Sequence, residues 1–155
     1  MPPPTPDRIR RIFLNPRPNI ALLTAAELLG VSLAELRADI ESGAIVATST
    51  GIGLRVPREE MIAAAMRTWE QSAIEEALGE EAASVLPEAI RLVELRARVP
   101  RYQREVLVAL AREEGTSVDA VLRRELEDVV CAHAEELAEL VPSLRVALAW
   151  PGVRG

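Results

Sequence analysis

The chain has 155 residues, of which 49% are hydrophobic, and a formal net charge of -6. This length allows one domain or two small ones, and the apolar content excludes an intrinsically disordered protein. The acidic balance argues against a non-specific nucleic-acid binder, and the lone Cys131 excludes an intramolecular disulfide and a cysteine metal site.

Only 3% of the residues are aromatic, so the core has to be built from aliphatic side chains, which favours helices. Met1 to Asp7 is Pro-rich and lacks the apolar core of a secretory signal. No apolar run reaches the roughly 18 residues that a membrane-spanning helix needs. We therefore expect a cytoplasmic bacterial protein with no membrane partner.

Residues 1–18 are predicted to form a Pro- and Arg-rich N-terminal arm. It begins with an extended, poorly ordered tail over Met1–Pro6, and a short helix then ends before Pro16. The apolar face of that helix carries Ile9, Ile12 and Phe13. Four arginines make this the most basic part of the chain, and they are expected either to be solvated or to neutralise phosphates: Arg8, Arg10, Arg11 and Arg17.

Two helices joined by a glycine turn are predicted next. Asn19 is expected to cap a helix over Ala21–Leu29, and Gly30 to make the turn. The sequence SLAE at 32–35 is a capping box, in which a serine hydroxyl and a glutamate carboxylate each satisfy a backbone N–H. The second helix is then expected to run to Ser42.

A hairpin and a long helix complete the segment 19–86. Ile45–Ala47 is expected to pair with Leu54–Val56, with two glycines in the turn between them. After Pro57 the apolar spacing predicts one long helix, which Gly79 interrupts. Its acidic end is predicted to be solvated and carries Glu75, Glu76, Glu80 and Glu81.

A lone strand is predicted over Leu92–Pro100, because apolar and charged residues alternate there. One face carries Leu95, Ala97 and Val99, and the other carries Glu94, Arg96 and Arg98. A single strand cannot satisfy its own backbone groups. It must therefore pair with the hairpin or with a second copy of itself.

Two more helices follow the strand. The first is expected between Pro100 and Gly115, and the second starts at Thr116 and Ser117 and extends as far as Leu140. Cys131 is predicted to be a small core hydrophobe and His133 a surface or dimer-contact residue, so neither forms a metal or catalytic site. Trp150 is expected to anchor the C-terminal tail, 142–155.

The first constellation spans about residues 19–69 and resembles the winged helix-turn-helix of excisionase and MerR type. The resemblance implies that the second helix enters the major groove, with Arg37 on that helix and Arg55 on the wing as DNA contacts. Three carboxylates accompany Arg37, so a protein-contact role for the same fold is left open. The matching residues are Ala25, Ala26, Leu29, Gly30, Val31, Ser32, Leu36, Ile40, Gly43, Ile45, Gly53, Arg55, Val56, Pro57, Glu60 and Met61.

The second constellation, about 92–130, resembles the ribbon-helix-helix of Arc and MetJ repressor type. It rests on the period-two strand, the spacing from Pro100 to Gly115, and the Ser cap at Ser117. The resemblance implies that two chains pair their strands into one antiparallel ribbon over a shared helical core. The implied DNA contacts are Glu94, Arg96 and Arg98 to bases in the major groove, and Thr116 and Ser117 to a phosphate.

The sequence therefore predicts a mainly α chain with a small winged helix-turn-helix domain at 19–86 and a ribbon-helix-helix dimerisation domain at 87–141. The predicted function is sequence-specific double-stranded DNA binding by a homodimeric, nucleoid-associated transcriptional regulator. The alternative is an antitoxin or adaptor whose acidic helices contact a basic protein. Neither an enzyme nor a cofactor is expected.

Overall fold

A computed structural model describes residues 3–153 of the chain. The protein is mainly helical with one small three-stranded antiparallel sheet, as the composition predicts. It forms two compact units: the first contains the residues up to Leu92 and those from Val146 on, and the second is Val93–Arg145. The prediction of an extended tail falls partly on residues 1 and 2, which lie outside the described residues.

The first unit contains most of the regular structure. Short 3-10 turns follow its last two helices at Gly79–Glu81 and Glu88–Ile90. In chain order its elements are α1 Pro6–Phe13, β1 Asn19–Ala21, α2 Leu22–Leu29, α3 Leu33–Glu41, β2 Thr48–Thr50, β3 Gly53–Pro57, α4 Arg58–Thr68, α5 Gln71–Leu78 and α6 Ala82–Val85.

Helix α1 belongs to the core of the first unit. Thr5 caps it by accepting a hydrogen bond from the Arg8 backbone N–H at 3.4 Å, so the helix starts at Pro6, inside the segment predicted as extended tail. The predicted apolar face is confirmed, since Ile9, Ile12 and Phe13 are all at most 1% exposed. The segment predicted as an arm therefore supplies core side chains.

The sheet has the order β1–β3–β2 and corrects two predictions. Asn19 does not cap a helix: it lies in β1 opposite Pro57, because the backbone of 19–21 completes the sheet, and α2 starts only at Leu22. The hairpin pairs Thr48–Thr50 with β3, not Ile45–Ala47. Ile45 is buried in the core at 5% exposure, and this places the strand three residues later.

The turn between α2 and α3 follows the prediction. Gly30 has φ +72, a left-handed backbone conformation that favours glycine, and the Arg8 guanidinium lies against it. Ser32 and Glu35 form the capping box: Glu35 N donates to Ser32 Oγ at 3.1 Å, and Ser32 N donates to Glu35 Oε2 at 2.7 Å. The helix ends at Glu41, one residue before the predicted end.

The long helix predicted after Pro57 is two helices, α4 and α5. Trp69 between them is extended, with φ -105 and ψ 146, and the Thr68 hydroxyl donates to the Ala64 carbonyl at 2.6 Å. The break directs the Trp69 side chain, which is 6% exposed, into the core together with the wholly buried Ile74 and Leu78. Burial of these side chains outweighs the continuous helical periodicity of the sequence.

The second unit is a helical segment without a sheet among its described residues. It holds α7 Arg101–Glu114, α8 Val118–Ala132 and α9 Ala134–Leu140, and α10 Pro142–Ala149 follows. Gly115, at φ +67, ends α7 and Ser117 caps α8, as predicted. Two predictions fail: α8 ends at Ala132, because the His133 backbone, with φ -124 and ψ 21, leaves the helical conformation, and Cys131 is exposed and not a core residue.

The C-terminal residues up to Val153 fold with the first unit. Trp150 packs against the core of that unit, as predicted for an anchor. Gly152 has φ +81, and a Cβ there would lie 2.6 Å from the Ala63 carbonyl oxygen, so the chain passes directly over α4. Over residues 3–153, the structure contains no helix with both the length and the apolar character needed to cross a bilayer.

Candidate nucleic-acid interface

Helix α3, the candidate recognition helix, is anchored by one face. Leu36 is fully buried, Ile40 packs against the core, and Arg37 is exposed. The charged residues that share the outer surface with Arg37 are all acidic: Glu35, Asp39 and Glu41. The surface that this helix presents is therefore net negative, which opposes approach to a phosphate backbone.

Arg55 lies in the middle strand of the sheet, not at a free wing tip. Its backbone is opposite Ala21 on one side and Thr48 on the other. The side chain is half-buried, and its Nε is buried without a hydrogen-bond partner among the described residues. No hydrogen bond or ion pair within the described part of the chain joins Arg55 to Arg37.

Two arginines of the N-terminal cluster hold the fold together. Arg8 Nε donates to the Leu28 carbonyl at 2.8 Å, and the Arg8 guanidinium stacks 5.5 Å from the centre of the Trp69 ring. Arg10 donates from Nη1 and Nη2 to the two carboxylate oxygens of Glu81 at 3.0 and 2.7 Å. This bidentate hydrogen bonding raises the pKa of Arg10 and lowers the pKa of Glu81. Neither arginine is a free phosphate ligand.

Glu81 thus fastens α1 to the end of α5, whereas the sequence predicted a solvated carboxylate. Arg10 also reaches the Ala77 and Leu78 carbonyls at 3.3 and 3.5 Å, so it closes the C-terminal end of α5. The two partners are 71 positions apart in sequence. No local pattern could have paired them.

Segment 92–100, called the edge segment below, is not the predicted strand: its backbone is irregular, because it pairs with no strand in residues 3–153, and every residue in it is exposed. The side chains predicted to face a core are in solvent, with Leu95 68% and Val99 49% exposed. On the other face Arg96 Nη2 lies 3.1 Å from Glu94 Oε2. The structure thus joins two of the three predicted base contacts to each other, and Arg98 stays separate.

The second unit leaves most of its apolar surface uncovered. Among its described residues only Ala111 and Val121 are buried hydrophobics, and helices α7 and α8 pack through them. Exposed apolar surface of this kind is typical of regions that another molecule covers. The exposed large apolar residues are Val93, Leu95, Val99, Tyr102, Val106, Leu126, Val129, Leu140 and Val141.

The predicted phosphate contacts stand at the start of α8. Thr116 and Ser117 are exposed, and the Ser117 hydroxyl accepts from the Ala120 backbone N–H at 3.1 Å. The other N–H groups of a first helical turn have no intrahelical acceptor. This end of the helix can therefore donate to an anion, although the Ser117 hydroxyl already serves the cap and Asp119 adds a negative charge.

The Ser32–Glu35 capping box makes the stability of α3 depend on pH. Hydrogen bonding from Ser32 lowers the pKa of Glu35, so its contribution to stability is present above the unfolded value of 4.5 and is lost as the pH falls through the folded value. We expect Glu35→Gln to flatten the pH dependence of stability below about pH 5. Urea titrations at several pH values measure this, with Glu41→Gln on the same helix as the control. An unaltered pH profile in Glu35→Gln would contradict the linkage.

The described residues contain no group of three or more His, Cys, Asp and Glu side chains that could hold a metal ion. His133 lies 3.9 Å from Glu136 and is largely exposed, as predicted for a surface residue. No protein-family model, curated protein or solved structure matches the chain. Its function therefore has to be argued from its own surfaces and charges.

Proposed function

We propose that the chain is a sequence-specific double-stranded DNA-binding protein, a cytoplasmic bacterial transcriptional regulator that acts as a homodimer. In this proposal the first unit is a winged helix-turn-helix and the second a ribbon-helix-helix. The edge segments of two chains pair antiparallel and enter the major groove together. The protein is then neither an enzyme nor dependent on a cofactor.

The observation that carries the proposal is the uncovered edge segment followed by an uncovered helical hairpin. Leu95, Ala97 and Val99 alternate with charged residues, and all are exposed in the single chain. An unpaired strand edge is a ready template for another strand. A second copy of the chain would pair the backbone of the edge segment and also cover its apolar side chains. Pairing two edge segments brings two α7–α8 hairpins over their apolar face.

The outward face of such a ribbon carries the DNA-reading groups. The Glu94–Arg96 pair is highly exposed, with 71% and 85% of the side chains accessible, and exposed pairs contribute little free energy. Arg96 can therefore exchange its carboxylate partner for a guanine edge at small cost. Arg98 makes no ion pair within the described residues and offers a second two-pronged donor. An arginine fork fits guanine O6 and N7, and a carboxylate can accept from cytosine N4.

The electrostatics of the first unit favour a second candidate, an antitoxin or adaptor that binds a basic protein. The outer surface of α3 carries Glu35, Asp39 and Glu41 against the single Arg37. This surface complements a cationic partner better than DNA. Stoichiometric capture of a basic protein by the chain, with no DNA binding even at low salt, would favour this candidate over the first.

Selection of duplexes from a random-sequence library, followed by titration at several salt concentrations, tests DNA binding. We expect enrichment of a pseudo-palindrome and an affinity that falls as salt rises. Arg96→Ala with Arg98→Ala should weaken binding to the selected duplex at least about thirtyfold, since each two-pronged base contact discriminates by about 1–3 kcal/mol. Arg104→Ala on α7 is the matched control. If the double variant binds like the parent, the ribbon does not read DNA.

A further inference from the structure

A cleft of about 430 Å³ opens in the first unit between α1, α2 and the loop that leaves α1. Three of its eight lining residues are arginines, and none of the residues that line it in the described structure is a carboxylate. A chain with a net charge of -6 thus concentrates positive charge at one concave place. The lining residues are Arg10, Arg11, Leu14, Asn15, Pro16, Arg17, Thr24 and Leu28.

Two of the three guanidinium groups are available to a ligand. Glu81 holds the Arg10 guanidinium in place, so Arg10 forms one side of the cleft and is not available to a ligand. Arg11 has a single loose partner, Asp7 at 3.8 Å, and Asp7 is 76% exposed. Arg17 is exposed and makes no side-chain ion pair within residues 3–153; its backbone N–H donates to Asn15 Oδ1 at 3.0 Å, which orders the loop beneath it.

The remaining lining is largely apolar. Leu28 is 1% exposed and packs in the core, Leu14 is partly buried against that core, and Pro16 rigidifies the loop. Thr24 on α2 adds one hydroxyl that can donate or accept. The cleft therefore combines two exposed guanidinium forks with a partly apolar lining, and its volume lies in the range of small-molecule sites, about 300–1,000 Å³.

We propose that this cleft binds a small organic carboxylate on a short apolar body. The carboxylate is held by Arg11 and Arg17, because a guanidinium fork matches the two oxygens of a carboxylate. The apolar body lies over Leu14 and Pro16. Both helices contribute to the site, so the bound ligand stabilises α1 against α2.

Acetate, butyrate and hexanoate, titrated at constant ionic strength and followed by backbone amide NMR shifts, test the cleft. We expect saturable shifts at Leu14, Thr24 and Leu28, with affinity rising about two- to fourfold for each added methylene. Hexanamide has the same apolar body without the charge and should bind at least about tenfold more weakly than hexanoate.

Two sets of variants distinguish binding in the cleft from a general effect of removing positive charge. Arg11→Gln with Arg17→Gln should weaken hexanoate at least about tenfold, whereas Arg37→Gln, an exposed arginine on α3, should leave its affinity unchanged. Both sets retain Arg10 and Glu81, so α1 stays in place. A thermal shift without ligand verifies that the double variant folds like the parent.

Several results would overturn the inference. Equal affinity for acetate and hexanoate, or unchanged hexanoate affinity in the double variant, means that no built carboxylate site exists. Displacement by inorganic phosphate or duplex DNA without any chain-length trend assigns the cleft to a backbone phosphate and excludes the organic anion. Carboxylate binding in the cleft does not depend on DNA binding. The double variant Arg96→Ala with Arg98→Ala should therefore keep the parent's hexanoate affinity, so failure of one proposal is distinguishable from failure of the other.

Discussion

Replacing Leu95 and Val99 together by glutamate is expected to convert a homodimer into a monomer. Both side chains lie on the apolar face of the edge segment, and they are 68% and 49% exposed in the single chain. In a paired ribbon they become buried over the helices. Four unpaired carboxylates would then be buried in each dimer, and burial of one unpaired charge costs several kcal/mol.

We expect dimer dissociation to become easier by at least about a thousandfold, which corresponds to about 4 kcal/mol. Analytical ultracentrifugation of parent and variant over a wide concentration range measures the shift. The same face is open to solvent in the single chain, so the substitutions should leave the helical content nearly unchanged. Circular dichroism tests that expectation.

Substitutions on the opposite face provide the matched comparison. Arg96→Ala with Arg98→Ala removes charges that point away from the apolar face, so it should keep the dimer and lose only DNA affinity. A parent chain that is monomeric at all concentrations excludes the ribbon. A glutamate variant that remains dimeric places the dimer contact elsewhere, on the exposed parts of α8 or α9.

The parts of the fold that sequence reasoning located well are determined by neighbouring residues. The α7–α8 hairpin has a glycine that ends one helix and a serine cap that starts the next, and both Gly115 and Ser117 behave as predicted. The same applies to Gly30 and to the capping box at Ser32. These signals act within one helical turn, so a single sequence contains all the information.

The sequence predictions are wrong where residues that are distant in sequence determine the local backbone conformation. Asn19 has the side chain of a helix cap, but its backbone completes a sheet with a strand that ends at Pro57. The periodicity after Pro57 is continuous, but the burial of Trp69 breaks the helix there. Local propensity is a weak prior when tertiary packing competes with it.

The predictions for the candidate site divide in the same way, into features set by neighbouring residues and features set by distant ones. Alternation predicted a strand over 92–100, but this segment forms no strand in the described structure, because no neighbouring strand satisfies its backbone, and Arg96 and Arg98 lie on irregular backbone. The roles of Arg8 and Arg10 could not be predicted, since their partners Leu28 and Glu81 are 20 and 71 positions away. A cluster of arginines in a sequence is equally compatible with phosphate binding and with internal bonding; only the fold separates Arg11 and Arg17 from the others.

Phe13→Ala is expected to lower the free energy of unfolding of the first unit by about 3–5 kcal/mol, because it empties a fully buried aromatic site. Phe13 lies at the end of α1, where its carbonyl also accepts from Arg58 Nη2 at 2.5 Å. Alanine retains this backbone carbonyl, so the expected loss comes from the apolar contacts of the ring. An exposed position in a solvated arm would instead give a loss below about 0.5 kcal/mol.

Tryptophan fluorescence during urea unfolding reports on this unit alone, since the chain has two tryptophans and both Trp69 and Trp150 belong to the core of the first unit. Asp7→Asn, an exposed change on the same helix, should shift the midpoint only slightly, because its 3.8 Å pair with Arg11 is solvent-screened. Equal midpoints for Phe13→Ala and Asp7→Asn would show that α1 does not stabilise the unit. A selective loss in Phe13→Ala makes α1 a structural helix, and it then holds Arg11, and the start of the loop that carries Arg17, beside α2.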